Sequence, residues 1–553
     1  MADNLWKKES NETNALYVDI FVNPSDLEFC AQNYVEIQRR FGVSRQEKSN
    51  QISLAHRKTG NSLFAETKWV AAMEQYNNSL RFAETGTPNI GLALANRSAC
   101  FFQLKMYEEC LKDINSAKQS QYPENLMFKL EQRERDCLKN IKEMVPGPFD
   151  NIGRKLSYDA DERFPCMANV LQIMCDDDGN FYTVAKEDIG VGQTVLIEPS
   201  FTSYLYMHYG HKCNICLKER SNLRPCKNCT NAMFCSDDCE RHYLHELECN
   251  LKFCDQSQTN GQILEGVRLI ISIVNQFASA NELIDFVEQV MKSDQYELPT
   301  SLTDFKSQYR IFLKQSISSE FFKSDNCLVM TYCTYTFIMT VPKINEWFTT
   351  PLHRRFLAHL IGQHVRIFER NSIRTNYLND KTNMLAYMGL MNNFFRHSCA
   401  PNILNCECDG QNSFVTIRPV KKGDQLQISY VDPRASQAKR QLDLQKRYQI
   451  NCNCMRCNCS SAKPTSDQRK QISSDPNYKD IVNFDIKNLY VSSAEESLKI
   501  IEKCITSLEK CKDILWCTEI EQMIDVFIKV LRIHLASPLP YSIEDLVMSQ
   551  LNI

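Results

Sequence analysis

Between Cys213 and Cys249 the chain places eight potential metal ligands in four pairs: Cys213-x2-Cys216, Cys226-x2-Cys229, Cys235-x3-Cys239 and His245-x3-Cys249. Spacings this short let one turn of backbone present two donors to the same ion, and zinc closes a structural site with four Cys or His ligands. Four pairs supply two closed sites. The segment has little apolar sequence with which to build a core, so metal must supply much of its folding energy.

At 553 residues the chain is too long for one core and divides into several domains. Its net charge of −3 carries no basic surplus, so nucleic-acid binding is not expected. The N-terminus, MADNLWKKES, lacks an apolar signal core. With 26 cysteines and no sign of secretion, reduced metal-binding thiols in a cytoplasmic and nuclear protein fit better than disulfides. The longest near-apolar run, Leu328 to Val341, is too short and too rich in Thr and Tyr to span a membrane and reads as a buried helix or strand.

Residues 50 to 142 have apolar positions three and four apart, which predicts helices. Gly60, Asn61, Phe64, Trp69, Ala72 and Tyr76 form one pattern; Ala93, Asn96 to Ala99, Phe102, Leu104, Tyr107 and Ala117 form a second; a third begins near Tyr122-Pro123. The spacing, roughly 34 residues per unit, resembles tetratricopeptide repeats, which stack into a peptide-binding groove. Arg57 and Asn61 lie four apart on one helical face, Asn96 recurs at the matching place, and Lys129 or Arg133 is available from the third unit. This subset resembles a carboxylate clamp, the type that grips acidic C-terminal tails of chaperones; the alternative is packing asparagines beside a solvated arginine.

After Pro146-Gly147-Pro148 the composition changes. Residues 180 to 202, broken by Gly190 and Gly192, predict a hairpin, residues 255 to 375 predict helices, and strand signals return at 402–408, 413–420 and 425–431. Three motifs lie in this half: Arg396-His397-Ser398-Cys399-Ala400-Pro401-Asn402, Gly423-Asp424 through Tyr430 to Asp432, and Cys452-x-Cys454-x2-Cys457 preceded by Tyr448. Cys406 and Cys408 alternate on one strand face and read as core.

The ligand ladder resembles a MYND finger. In that family the pairs interleave, which implies Cys213, Cys216, Cys235 and Cys239 around one zinc and Cys226, Cys229, His245 and Cys249 around the other. The three later motifs, in their order, resemble a SET domain with its cysteine-rich tail. A finger inserted after the first hairpin is similar to the SET and MYND domain-containing family, in particular the branch with tetratricopeptide-like helices in front. The resemblance covers roughly residues 50 to 460.

It implies an α+β multidomain chain: an N-terminal extension (1–48), tetratricopeptide-like helices (49–142), the first part of a β-rich SET core (143–210), the finger (211–249), a helical insert (250–375), the SET core (376–432), a post-SET zinc segment (433–460), a linker (461–480) and a short helical C-terminal domain (481–553). It also implies transfer of a methyl group from S-adenosylmethionine to a lysine of a histone or other protein, by a monomer. Tyr430 would be the catalytic hydroxyl; Asn180, Phe181, Asn371, Arg396, His397, Tyr448 and Ile450 would join it around the cofactor. A third zinc would take Cys452, Cys454 and Cys457, with Cys399 as the family's fourth ligand and Cys459 in competition. The finger would recognise proline-rich partners.

The match departs from the family at Arg396, where asparagine is usual and holds the methionine end of the cofactor. An arginine there faces a sulfonium of like charge, and would pair with the cofactor carboxylate or swing outward. The glycine motif at Gly179-Asn180-Phe181-Tyr182 is degenerate, and Ile450 replaces an aromatic. These departures leave open a second reading, an inactive scaffold working through the finger and the groove. Residues 461–480 are polar and read as a linker, whereas Leu498, Ile501, Cys504, Ile505 and Leu508 share one face of a helix beyond it.

Overall fold

The structure is a computed structural model that describes residues 47–141, 151–205, 212–218, 222–250, 258–293, 297–317, 325–376, 384–408, 410–458, 464–485 and 494–535. The N-terminal extension up to residue 46 and the candidate ligand Cys459 lie outside the described residues.

The first described helices are α1 (Asn50–Ala65), α2 (Trp69–Phe82), α3 (Pro88–Gln103), α4 (Tyr107–Lys118) and α5 (Met127–Asn140). Ser49 caps α1 by accepting from the Ile52 N–H, and Pro88 opens α3 where its missing N–H costs nothing. Two turns repeat: Thr67 and Lys105 sit at φ 61° and 60°, and the next N–H groups, Lys68 and Met106, reach back to Leu63 O and Phe101 O. The equivalent turns are 38 residues apart (105 minus 67), longer than the spacing read from small and aromatic positions, because residues 83–87 draw out the α2–α3 connection. Gly60 lets the helices close, since a Cβ there would lie 2.5 Å from Tyr76 Cε1.

Among the described residues four strands precede the finger: β1 (Leu171–Cys175), β2 (Phe181–Ala185), β3 (Thr194–Pro199) and β4 (Thr202–Leu205). The expected hairpin over 180–202 is corrected here. β2 pairs antiparallel with β1, closing on Gly179 at φ 83°, while β3 and β4 leave for other sheets. Gly190 and Gly192 are the bend between β2 and β3; a Cβ on Gly192 would lie 2.6 Å from Ile505 Cδ1.

The finger contributes β5 (Arg224–Pro225), β6 (Met233–Phe234), α6 (Asp237–Glu240) and α7 (Tyr243–Asn250). It does not stand alone. Met233, Phe234, Leu223 and four of its cysteines share one core with Tyr76, Leu80, Phe101, Met106 and Ile114 of the first helices. A fully buried Arg97 donates to both Asp113 oxygens at 2.7 and 2.8 Å, to Asn77 Oδ1 at 2.7 Å and to the finger carbonyl of Leu223 at 3.1 Å. Asn222 donates to Asp113 at 2.6 Å and Arg81 to Thr230 O at 2.7 Å. A buried ion pair this fully bonded fixes how two bodies meet rather than adding much net stability.

The insert runs through α8 (Gln258–Val274), α9 (Ala280–Lys292), α10 (Phe305–Leu313), α11 (Asp325–Ile338), α12 (Pro342–Trp347) and α13 (Pro351–Asn371). The near-apolar run is therefore largely α11, with Tyr335, Phe337 and Ile338 buried in the main core. The remaining strands are β7 (Ile373–Asn376), β8 (Met384–Met388), β9 (Arg396–His397), β10 (Ile403–Cys408), β11 (Gln411–Thr416) and β12 (Gln427–Ile428). β3 joins the antiparallel sheet β10-β11-β3, and β4 joins β4-β8-β7, so strands before the finger pair with strands well beyond it.

The chain ends, among the described residues, in α14 (Gln437–Tyr448), α15 (Ser466–Ser474), α16 (Pro476–Val482), α17 (Ala494–Lys510) and α18 (Thr518–Leu535). The linker expected over 461–480 is corrected: α15 and α16 occupy most of it, with a Thr465/Gln468 capping box and Asp475 capping the second helix. Ile472 and Ile481 anchor them in a core shared with Ile501, Cys504, Leu508 and Phe527. One isoleucine inside the polar stretch and one just past its end are too few for a periodic signal, yet enough to bind short helices to an existing surface. Cys406 and Cys408 are buried in that same core.

Candidate active site and metal centres

Among the described residues three clusters of four ligands form, in each of which the donor atoms lie within 4.8 Å of one another: Cys213, Cys216, Cys235 and Cys239; Cys226, Cys229, His245 and Cys249; and Cys399, Cys452, Cys454 and Cys457. Four sulfurs around zinc at 2.3 Å should stand about 3.8 Å apart. The Cys235–Cys239 and Cys226–Cys249 sulfurs are 3.7 Å apart, and Cys399–Cys452 3.9 Å. The donor set and spacing fit zinc in all three. In the finger, Ser236 caps α6 and aims Cys239, and α7 presents His245, whose Nε2 is 3.2 Å from Cys226 Sγ.

The third cluster joins the tail to the chain just beyond β9. Tyr430, Tyr448 and Ile450 pack against Cys399, Leu444, Cys452 and Cys457. β9 pairs in parallel with β12, Arg396 opposite Gln427 and His397 opposite Ile428, which carries the chain on to Tyr430. His397 Nδ1 accepts the Tyr430 N–H at 3.0 Å, and burial holds this imidazole down at about 4. The Tyr430 hydroxyl donates to the Phe395 carbonyl at 2.7 Å, and its ring faces Tyr448 at 4.9 Å between centroids. Burial pushes the pKa of that phenol well above its ordinary value, Tyr448 adds to the effect, and Arg370 and Arg396 oppose it. Tyr430 therefore stays protonated, a donor rather than a base.

Of the sequence candidates, His397, Tyr430, Tyr448 and Ile450 meet around this point. Phe181 sits at its edge, ring to ring with Phe394 at 5.4 Å. The Asn180 N–H donates to Asp176 Oδ1 at 2.8 Å in the β1–β2 turn, so Asn180 lies on the hairpin tip that faces β9. Asn371 is drawn elsewhere: its amide donates to the Ser316 and Ile367 carbonyls at 2.8 and 2.7 Å, and the residue before it, Arg370, is the one that reaches Tyr448. Arg396 swings outward. Its guanidinium pairs with Asp176, approaches Asn180 O at 3.4 Å and lies 4.4 Å over the Tyr182 ring.

Among the first helices Asn61 Oδ1 accepts from Asn96 Nδ2 at 2.7 Å and from the Tyr76 hydroxyl at 3.0 Å, so the two asparagines do meet. Arg133 bonds Ala95 O and Ser98 Oγ instead, turned into the helix packing.

Sequence reading missed two residues. Glu198, on β3, accepts from the N–H groups of Leu390, Met391 and Asn392 at 3.0, 2.9 and 3.0 Å, fixing the loop that leads to Phe395. Burial pushes its carboxyl up to about 7 against those three donors. Arg440, buried on α14, reaches 3.8 Å from Cys457 Sγ. Neither carries a motif; an acidic residue inside an apolar strand run was the one available signal for Glu198.

The SET-domain family model matches residues 110–431. The chain belongs to the SET-domain family. Its similarities run to SMYD proteins: the protein-lysine N-methyltransferase SMYD4 of Danio rerio is 23% identical over 280 residues, 44% of this chain and 35% of that protein. SMYD4 of Pongo abelii is 20% identical over 551 residues, 75% of this chain and 68% of that protein. The N-lysine methyltransferase SMYD2-A of Xenopus laevis is 21% identical, covering 59% and 71%. The match to the Danio rerio and Mus musculus SMYD4 proteins spans about a third of their length, 35% and 34%. Within this SET chain, no helix of the described residues is long and apolar enough to cross a membrane.

Proposed function

We propose that this SET protein transfers a methyl group from S-adenosylmethionine to a lysine side chain of a protein substrate. The observation that carries the reading is the Tyr430 hydroxyl held on the Phe395 carbonyl at 2.7 Å, beside the cysteine cluster that pins the tail to β9. S-adenosylmethionine, when bound, supplies a methyl on a sulfonium, open to in-line displacement by a neutral amine. The donor set fits such a cation: the two oxygens present partial negative charge, His397 is neutral, and Arg396, the positive group on the pocket strand, is neutralised by Asp176. Backbone along Arg396–His397, with Phe181 and Ile450, would hold the cofactor.

The chain's own residues do the rest. The facing Tyr430 and Tyr448 rings exclude water from an arriving lysine, and desolvation favours its neutral form. Glu198 and the third metal cluster hold the two sides of the pocket in register, which matters because alignment is most of what a displacement needs. Calorimetric titration with S-adenosylmethionine tests the reading directly; no heat at millimolar concentration ends it. If binding is seen, Tyr430→Phe should lower turnover by about a hundredfold or more and leave cofactor affinity within about twofold.

A second reading rests on the groove and finger, a scaffold holding partner peptides. The juxtaposed Asn61 and Asn96, with Arg57 one turn before Asn61, support binding of an acidic chain terminus. Pull-down of a peptide with a free terminal carboxylate, compared with its amide, distinguishes it from the enzyme reading.

A further inference from the structure

Two guanidiniums act on the Tyr430 hydroxyl, and they are not equivalent. Arg396 has Asp176. Arg370, in the last turn of α13, donates its Nε to Ser316 Oγ at 2.9 Å and Nη2 to the Tyr448 carbonyl at 3.2 Å. No carboxylate pairs with it among the described residues. Arg447 stands beside it, its Cζ 5.3 Å from the Tyr448 ring centre and its Nη2 at 3.3 and 3.2 Å from the Glu369 and Ser372 carbonyls. It too lacks an acidic partner there. The carbonyls at the end of α13 offset part of this charge, as a helix C-terminus does for any cation. They offset only part, and burial lowers the basicity of Arg370, the sign of a cation short of compensation.

A lysine reaching Tyr430 therefore brings a second cation toward one that is half-buried and unneutralised. In a low-dielectric setting that repulsion is large unless the substrate also brings negative charge. The same arginine makes the arriving amine easier to deprotonate. We propose that Arg370, with Arg447 beside it, selects protein substrates whose target lysine is flanked by aspartate or glutamate. The inference rests on the lysine-methylation reading and adds a substrate class to it.

The test uses the full chain, its zinc retained, saturated with S-adenosylhomocysteine. Three fluorescein-labelled peptides are compared by anisotropy at low salt: one lysine flanked by Asp and Glu, the same with Ser and Gln, and the same with Arg. The acidic peptide should bind about tenfold tighter than the neutral one, and the basic peptide weakest. Arg370→Gln should cut the preference to about twofold, and Arg370→Lys, which keeps the charge but not the fork to Ser316 and Tyr448, should retain most of it. Equal affinities for the three peptides, or no measurable binding of any, overturn the proposal. So does a lysine variant that behaves like the glutamine variant, which would make Arg370 a stitch between α13 and the tail. A parallel titration with S-adenosylmethionine separates the two levels: absent cofactor heat removes the methylation reading and this proposal with it, whereas cofactor binding without acidic preference removes this proposal alone.

Discussion

The finger and the third cysteine cluster use the same donors, yet the chain assembles them in opposite ways. In the finger all eight ligands come from one continuous stretch, and its core is continuous with the first helices. In the third cluster Cys399 meets Cys452 across 53 positions, and the partners packed on it are Tyr430, Tyr448 and Ile450. A metal in the finger would hold that module against a helical body. A metal in the third cluster would lie in the wall behind Tyr430 and Tyr448. One ligand chemistry serves two ends, and what surrounds the ion decides which.

The largest expected effect tests this contrast. Cys399→Ser and Cys226→Ser should each lower zinc content from three to two per chain by elemental analysis. Only Cys399→Ser should reduce methyl transfer by about a hundredfold, the cost of displacing a reacting group by an ångström. Equal losses in both variants would erase the distinction between staple and pocket wall.

Next in size is the seam between the finger and the first helices. Arg97→Ala leaves Asp113 buried without its main partner and should cost about 3–5 kcal/mol by urea unfolding of the N-terminal body. Cofactor binding should not change. A loss under about 1 kcal/mol would mean that the apolar core alone holds the finger in place.

Glu198 gives the third effect. Its folded-state value of about 7 lies above the ordinary 4.5, so the folded state binds the proton more tightly. The stability this confers is fully present below about 4.5 and fades as pH rises to about 7. The advantage of the parent over Glu198→Gln should shrink by about 3 kcal/mol across that window, read as the difference between two denaturation series so that metal loss cancels. A constant difference would mean that the three N–H donors keep the carboxylate ionised throughout.

The smallest effect concerns Arg396. Asp176→Asn frees the guanidinium from a partly exposed pair and should leave the unfolding midpoint nearly unmoved. A released cation near the sulfonium should weaken S-adenosylmethionine about threefold. Tighter binding would show that Arg396 turns inward to serve the cofactor's carboxylate.

Much of this was legible before any coordinates. The finger announces itself because its ligands are local: spacing of two or three residues is a geometric statement that needs no fold. The order of Arg396 to Asn402, Gly423 to Asp432 and Cys452 to Cys457 placed the pocket on three short stretches, and they do meet. The repeat of small and aromatic positions gave the helical pairs, though not the drawn-out connection at residues 83–87. The expected hairpin over 180–202 failed because two strand signals in succession do not say whether they pair with each other; β3 found its partner in β11, with Asn412 opposite Glu198. The linker failed because α15 and α16 are held by two isoleucines and by caps, not by an apolar stripe.

What sequence alone determined, then, is the chemistry whose partners sit within a few residues: which thiolates form a ligand pair, and which tyrosine follows the Gly-Asp turn. Tertiary structure decided every charge assignment. Asp176 meets Arg396 across 220 positions, Glu198 meets the 390–392 backbone across more than 190, and Arg370 is left beside the tyrosine pair with no acidic partner among the described residues. The reason is physical. A pair of ligands two or three residues apart is specified by its own backbone turn, but the worth of a charge is set by whatever the fold buries beside it, and that neighbour can come from anywhere in the chain.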